Sequence, residues 1–171
     1  MSKTSTKLED LIEINPITKN QVKAFDSWNE GENLVLAGSA GTGKTFITLY
    51  LALRSSLEQS TPYHKVIVVR SIVATRDMGY LPGTKEEKVE PFEAPYKSIC
   101  LELFDYDNEA YNKLIHSHQM EFITTSFVRG TQLNNAIVIV DEMQNLNFHE
   151  LDSVITRIGQ NCRVIFSGDY H

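Results

Sequence analysis

Short runs of apolar residues recur along the chain, separated by polar or glycine-containing segments. They cover residues 33–37, 66–69, 121–124, 136–140 and 163–166. Each run is continuous rather than alternating and rich in Val and Ile, which is typical of strands covered on both faces of a parallel sheet. One helical signal precedes the first run, over residues 18–28, and others lie between the runs, over residues 44–57, 91–103, 109–116 and 148–158.

Alternation of strands and helices predicts a doubly wound α/β fold, with a mostly parallel sheet flanked by helices. In such sheets a ligand binds beyond the carboxyl ends of the strands, so the residues after each strand are functional candidates. The polar segment 75–93 contains two glycines and two prolines and is predicted to be a long loop over that edge. Loops of this length inside a compact domain usually carry function.

Composition narrows the class of protein. The chain has 171 residues, 42% of them hydrophobic, with a net charge of −6, so we expect one folded domain over residues 16–171 after a flexible tail over 1–15. The acidic charge disfavours a nucleic-acid coat held by bulk charge, although a local basic groove stays possible. There is no membrane-length apolar run, no secretion signal and no cysteine framework, which predicts a cytoplasmic protein without a membrane partner.

One glycine-rich segment has the spacing of a phosphate-binding loop, G-x-x-x-x-G-K-[ST], between a predicted strand and a predicted helix. Its members are Gly38, Ser39, Ala40, Gly41, Thr42, Gly43, Lys44 and Thr45. Glycines let the backbone N–H groups wrap a phosphate at the start of the helix, where partial positive charge favours an anion. Lys44 can reach the outer phosphates and the Thr45 hydroxyl can bind Mg²⁺. We therefore predict nucleotide binding, the alternative being an ordinary glycine turn.

A second candidate element is Asp141-Glu142, directly after the apolar run 136–140. An Asp at the end of such a strand is placed to hold Mg²⁺ beside a phosphate loop, and Glu142 is a candidate general base for water attacking the γ-phosphate. Alone, the two carboxylates could equally cap the next helix. Beside a phosphate loop they favour hydrolysis over phosphoryl transfer, because a carboxylate next to the site activates water.

Four stretches together resemble a known family. They cover residues 38–45, residues 70–91 with Gly79-Tyr-Leu-Pro-Gly83, residues 127–131 with Arg129-Gly130, and residues 141–145 continuing to 167–169. These residues resemble the PhoH-like family, P-loop ATPases related to superfamily 1 helicases in bacteria and bacteriophages. The resemblance implies a RecA-like P-loop NTPase fold, ATP and Mg²⁺ as cofactors, ATP hydrolysis coupled to single-stranded RNA, and a link to phosphate starvation.

Individual residues within these stretches lead to expectations about the source of the chain and the end of the domain. Ser71 and Met143 resemble the phage branch, which implies a host-cytoplasm location. In the family, the Gly-Asp at residues 168–169 is followed by a Gln and further chain, whereas this sequence ends at His171, so we expect the domain to be truncated there.

Several single residues keep two interpretations. Gln21 resembles an adenine-reading Gln, but Thr18-x-x-Gln21 is also a helix capping box. Asp169 is a candidate γ-phosphate sensor or a turn residue. Arg129 and Arg76 are candidate arginine fingers, in cis or from a neighbouring subunit, or plain surface charges.

The sequence therefore predicts a Mg²⁺-dependent ATPase in which Lys44, Glu142 and Arg129 are catalytic. A helicase-type motor needs two such lobes per site and this chain supplies one, so we expect a homo-oligomer, a ring such as a hexamer. The main alternative is a nucleotide-dependent regulatory module with negligible hydrolysis. A phosphotransferase is disfavoured by Glu142.

Overall fold

The computed structural model describes residues 5–72 and 85–170, with residues 85–88 described by their backbone alone. Five parallel strands form one sheet in the order β1-β5-β4-β2-β3. The strands are β1 (Leu34–Gly38), β2 (Lys65–Arg70), β3 (Met120–Thr124), β4 (Ala136–Val140) and β5 (Arg163–Asp169). The helices are α1 (Lys19–Asn29), α2 (Lys44–Leu57), α3 (Lys85–Leu103), α4 (Ala110–His116), α5 (Thr125–Val128) and α6 (Phe148–Ile155), with 3-10 turns at Leu8–Asp10 and Met143–Asn145.

Helices cover both faces of the sheet, as the continuous apolar runs predicted. Along β2, Val66 and Val68 pack into a core shared with α1 to α4, whereas Ile67 and Val69 pack into a second core shared with α5 and α6. Successive side chains of a strand point to opposite faces, so a strand between two cores must be apolar at every position. The expected α/β class is confirmed.

The sequence predictions were wrong at several boundaries. Residues 85–93, predicted as loop, belong to α3, because this Lys- and Glu-rich stretch has high helix propensity and Pro91 and Pro95 are accommodated inside the helix. Residues 75–84 lie outside the described part. Strand β5 extends beyond the apolar run 163–166 and ends at Asp169, which pairs with Gly38 of β1. The short helix α5 was not predicted.

The amino-terminal residues also depart from expectation. Residues 5–15, expected to be part of a flexible tail, lie against the fold: Leu8, Leu11, Ile12 and Ile14 pack on the core. The Ile12 N–H donates to the Leu103 carbonyl at 2.9 Å, and the Ile14 N–H donates to the Tyr50 hydroxyl at 3.1 Å. These four apolar side chains supply the buried surface that holds an irregular segment in place.

The strand order brings the candidate residues to one edge. β1, β5 and β4 are neighbours, and all strands run parallel, so their carboxyl ends meet at the same edge. The phosphate loop follows β1, Asp169 ends β5, and Asp141 follows β4. Residues far apart in sequence therefore converge there.

Candidate active site

The phosphate loop joins β1 to α2 in the geometry that its glycines allow. Gly41 and Gly43 have φ of 75° and 79°, a left-handed conformation that other residues rarely adopt. An added Cβ would meet nothing within 4 Å at either position, so the backbone conformation alone requires glycine there. Helix α2 then begins at Lys44 with no side-chain cap, which leaves its first N–H groups available for an anion.

The ammonium group of Lys44 folds back over the loop. Its Nζ lies 2.6 Å from the Ser39 carbonyl oxygen, 3.2 Å from the Thr42 hydroxyl and 2.8 Å from Asp169 Oδ1. Three oxygen partners satisfy the three N–H donors of an ammonium group. In this state the carboxylate of Asp169 is the counter-ion of Lys44.

A cavity of about 250 Å³ brings the two predicted motifs together. It is lined by the loop residues Gly41 to Thr45 and by Asp141, Glu142 and Asp169. The Asp141 side chain is buried, with only 3% of the residue exposed, and both of its oxygens accept hydrogen bonds: Oδ1 from the Glu142 N–H at 3.0 Å and Oδ2 from the Tyr96 hydroxyl at 2.5 Å.

The oxygen donors in this cavity fit Mg²⁺. A hydroxyl and a carboxylate are hard ligands, and Mg²⁺ is commonly held by one or two such groups, substrate phosphates and water. Within residues 5–72 and 85–170, no group of three or more His, Cys, Asp or Glu side chains could hold a metal by itself. Thr45 and Asp141 both line this cavity, and their role as metal ligands stays a prediction.

Glu142 is held in an uncommon conformation. Its φ of 51° and ψ of 44° are left-handed, which costs a non-glycine residue about 1–3 kcal/mol and is most frequent at functional sites. The Gln144 side chain donates to Glu142 Oε2 at 2.6 Å and accepts from the Asp169 N–H at 3.0 Å. Gln144 therefore connects the candidate base to the end of β5, and through Asp169 to Lys44.

Close packing against Gln144 and Met143 explains why residue 168 is a glycine. A Cβ at this position would lie 2.6 Å from both Gln144 Oε1 and Met143 Cγ. The glycine lets β5 approach the 3-10 turn that follows β4. Next to it, the Ser167 hydroxyl is buried without a hydrogen-bond partner and lines the same cavity.

A second cavity of about 710 Å³ lies on the other side of the phosphate loop. It is lined by Gln21 of α1, Val35 of β1, Gly38 and Ser39 of the loop, and Tyr170. Gln21 completes a capping box: its N–H donates to the Thr18 hydroxyl at 3.2 Å, and its Oε1 accepts from the Thr18 N–H at 3.3 Å. The same Oε1 also accepts from the Ile17 N–H at 2.8 Å. Both interpretations of Gln21 thus have a structural basis, and its contact with adenine stays a prediction.

Of the two candidate arginine fingers, the structure describes Arg129. Arg129 follows α5 and is not among the residues that line either cavity; its charge acts on the Glu150 carboxylate instead. Its role as an arginine finger stays a prediction. Arg76 lies outside the described residues. Ser71 is buried, and its hydroxyl donates to Glu150 Oε1 at 2.7 Å.

Sequence reasoning missed one residue of the site. Tyr96 lies on α3, 45 positions before Asp141, and no motif or spacing connects the two. The ring of Tyr96 packs against Phe122 as a core aromatic residue does, with centroids 5.7 Å apart. Only the three-dimensional approach of α3 to β4 reveals the contact of its hydroxyl.

The parallel sheet, with the phosphate loop between β1 and α2, is that of a RecA-like P-loop NTPase fold. A solved structure with a similar fold is the Sulfolobus solfataricus SWI2/SNF2 ATPase core in complex with dsDNA, with a TM-score of 0.52 and 16% identity over 92% of this chain and 34% of that chain. The family model described as PhoH-like protein matches residues 13–171. The chain therefore belongs to the PhoH-like family, as the four stretches predicted.

Curated relatives agree with this assignment. The chain is 37% identical to Protein PhoH2 of Bacillus subtilis, over 80% of this chain and 31% of the relative. It is 31% identical to a PhoH-like protein of Mycobacterium leprae, over 91% and 44%, and 29% identical to Protein PhoH of Escherichia coli, over 99% and 47%. The chain thus spans between 31% and 47% of these relatives' lengths. None of the described helices is long and apolar enough to span a membrane.

Proposed function

We propose that this chain binds ATP with Mg²⁺ at the edge of the sheet and hydrolyses it. The observation that carries the proposal is the single cavity shared by Lys44, Thr45, Asp141 and Glu142. A glycine loop alone would support phosphate binding. The added carboxylates supply what hydrolysis needs, a metal ligand and a base.

The proposed reaction assigns one role to each side chain. Thr45 and Asp141 hold Mg²⁺, which when bound neutralises charge on the β- and γ-phosphate oxygens. Lys44 leaves Asp169 and pairs with the outer phosphates. Glu142 accepts a proton from the attacking water while a new oxygen–phosphorus bond forms and the bond to the ADP oxygen breaks. General base catalysis of this kind contributes about 10²- to 10⁴-fold in rate.

Coupling to single-stranded RNA is the finer part of the proposal, and it rests on the family resemblance. The same resemblance supports phage origin, the link to phosphate starvation and an arginine finger from Arg129 of a neighbouring subunit. We propose a homo-oligomeric ring because a helicase-type motor needs two lobes per site and this chain supplies one. We propose a cytoplasmic location from the composition of the chain. The test is phosphate release from ATP with and without single-stranded RNA, by the native chain and by Lys44→Ala. Release that RNA stimulates, and that Lys44→Ala abolishes, supports the coupling; equal release with and without RNA contradicts it.

A regulatory module that binds ATP without turnover is the second candidate. Two contacts favour it: Asp169 engages Lys44 at 2.8 Å, and Gln144 engages the carboxylate of Glu142 at 2.6 Å. Both groups must be released before they can act on a nucleotide. Intact ATP retained by the purified native chain, with no phosphate released above the Lys44→Ala background, would favour this candidate over the ATPase.

A further inference from the structure

Helix α3 contacts the proposed metal ligand Asp141 through the side chain of Tyr96. Tyr96 is 1% exposed, and its hydroxyl donates to Asp141 Oδ2 at 2.5 Å. This distance is at the short end for a hydroxyl on a carboxylate, where the charge roughly doubles the strength of the bond. Neither the phosphate loop nor the acidic motif contains this residue, so it forms a third, independent part of the site.

The two oxygens of Asp141 are held by donors from different elements. Oδ1 accepts from the neighbouring Glu142 N–H at 3.0 Å, and Oδ2 accepts from Tyr96 on α3. A single donor would leave the carboxylate free to rotate about its terminal bond. Two donors fix its plane, and the remaining lone pairs then have defined directions within the cavity that Asp141 shares with Thr45.

Tyr96 is itself held firmly. Its ring packs at a 48° tilt against Phe122 of β3, and one turn earlier Phe92 faces the end of β2. There the Arg70 guanidinium lies 5.5 Å from the Phe92 ring centroid, and its Nη1 donates to the Phe92 carbonyl at 3.4 Å. Residues four apart share a helix face, so α3 is fastened to the sheet on the face that presents Tyr96.

The hydroxyl and the ring of Tyr96 have separate parts in this arrangement. The hydroxyl can donate one hydrogen bond, and Asp141 receives it. The ring is fixed by its packing against Phe122. A buried donor on a packed ring is the arrangement by which a second layer of residues orients a metal ligand.

We propose that Tyr96 is a positioning residue that orients the Asp141 carboxylate for Mg²⁺ and so sets the metal affinity of the nucleotide complex. This inference rests on the proposed function, since it assumes that Asp141 holds the metal. Loss of a group that orients a metal ligand typically weakens metal affinity about 10- to 100-fold. We expect an effect of that size from removing one oxygen atom.

The chain offers a matched pair of variants, Tyr96→Phe and Tyr111→Phe. Tyr111 of α4 is also buried, and its hydroxyl also donates to a carboxylate, Glu93 Oε1 at 2.6 Å, but this bond joins α4 to α3 and does not involve Asp141. Each variant removes one buried hydroxyl from a charged acceptor. A purely structural effect of losing such a bond would therefore be similar in the two.

The experiment titrates Mn²⁺, as a spectroscopic probe for Mg²⁺, into each protein with a non-hydrolysable ATP analogue and measures free Mn²⁺ by electron paramagnetic resonance. Urea unfolding of each variant shows that it is folded. We expect affinity about 10- to 100-fold weaker in Tyr96→Phe and within twofold of native in Tyr111→Phe.

Other outcomes would overturn either the positioning role of Tyr96 or the proposed function. Native-like or tighter Mn²⁺ binding by folded Tyr96→Phe overturns the positioning role, as does equal weakening in both variants. If the native chain itself shows no nucleotide-dependent Mn²⁺ binding, the proposed function fails, and the inference fails with it.

Discussion

The ion pair between Lys44 and Asp169 predicts that one substitution will tighten nucleotide binding. In the present state the carboxylate lies 2.8 Å from the ammonium group that the outer phosphates would need. ATP must displace it, and the displaced carboxylate would then lie near a triphosphate of the same sign. Asp169→Asn removes both obstacles and leaves the Asp169 N–H bond to Gln144 in place, because that bond belongs to the backbone.

The size of the effect follows from the exposure of the pair. The side chains are 13% and 25% exposed, so solvent still screens the interaction. Exposed pairs contribute about 0.2–1 kcal/mol, and the limited access here places this one near 1 kcal/mol. A change of that size corresponds to about fivefold in affinity. We therefore expect Asp169→Asn to bind ATP about fivefold more tightly and to lose a similar amount of stability without nucleotide.

Equilibrium titration with a fluorescent ATP analogue in Mg²⁺ measures this directly. Asp152→Asn is the control, since it removes the same charge from an exposed position on α6 whose carboxylate has no hydrogen bond or ion pair among the described residues. Weaker binding by Asp169→Asn, with native affinity in the control, would refute the reasoning. It would indicate instead that Asp169 is needed for binding, as a γ-phosphate sensor would be.

Two further predictions concern stability. Gly168→Ala places a Cβ 2.6 Å from Gln144 Oε1 and Met143 Cγ, so we expect a loss of about 1–3 kcal/mol in urea unfolding; native stability would show that the turn yields freely. Burial acts to raise the pKa of Glu150, but hydrogen bonds from Ser71, the Asn147 N–H and Thr125 outweigh it and hold the pKa below its ordinary 4.5. The stability from this lowered pKa is present above about pH 4.5 and is lost as the pH falls through the folded value. Glu150→Gln should therefore give a shallower fall in unfolding free energy between about pH 5 and pH 3, and an unchanged slope would contradict this assignment.

Sequence patterns predicted the sheet well for a physical reason. Strands that lie between two layers of helices must be apolar at every position, and such runs are visible without any structure. Ends of elements were less predictable: β5 continues through Ser-Gly-Asp because β1 pairs with it there. The packing of residues 5–15 depends on contacts with α2 and α3 that no local pattern encodes.

Among the residues of the candidate site, too, some were predictable from the sequence and one was not. Lys44, Thr45, Asp141 and Glu142 were predictable because each follows a strand, and parallel strands end at one edge. Tyr96 was not, since it reaches the site from the middle of a helix, and its side chain packs like any core aromatic residue.

The most direct test of ATP hydrolysis with Glu142 as the base compares ATP binding with ATP hydrolysis in Glu142→Gln. Each protein is mixed with less than one equivalent of ATP and Mg²⁺, and bound nucleotide and released phosphate are followed in a single turnover. Glu109→Gln, an exposed substitution next to α4, is the control. We expect Glu142→Gln to bind ATP within about threefold of the native affinity but to hydrolyse it about 10²- to 10⁴-fold more slowly. Hydrolysis by Glu142→Gln at the native rate would contradict this proposal, because Glu142 would then not be the base.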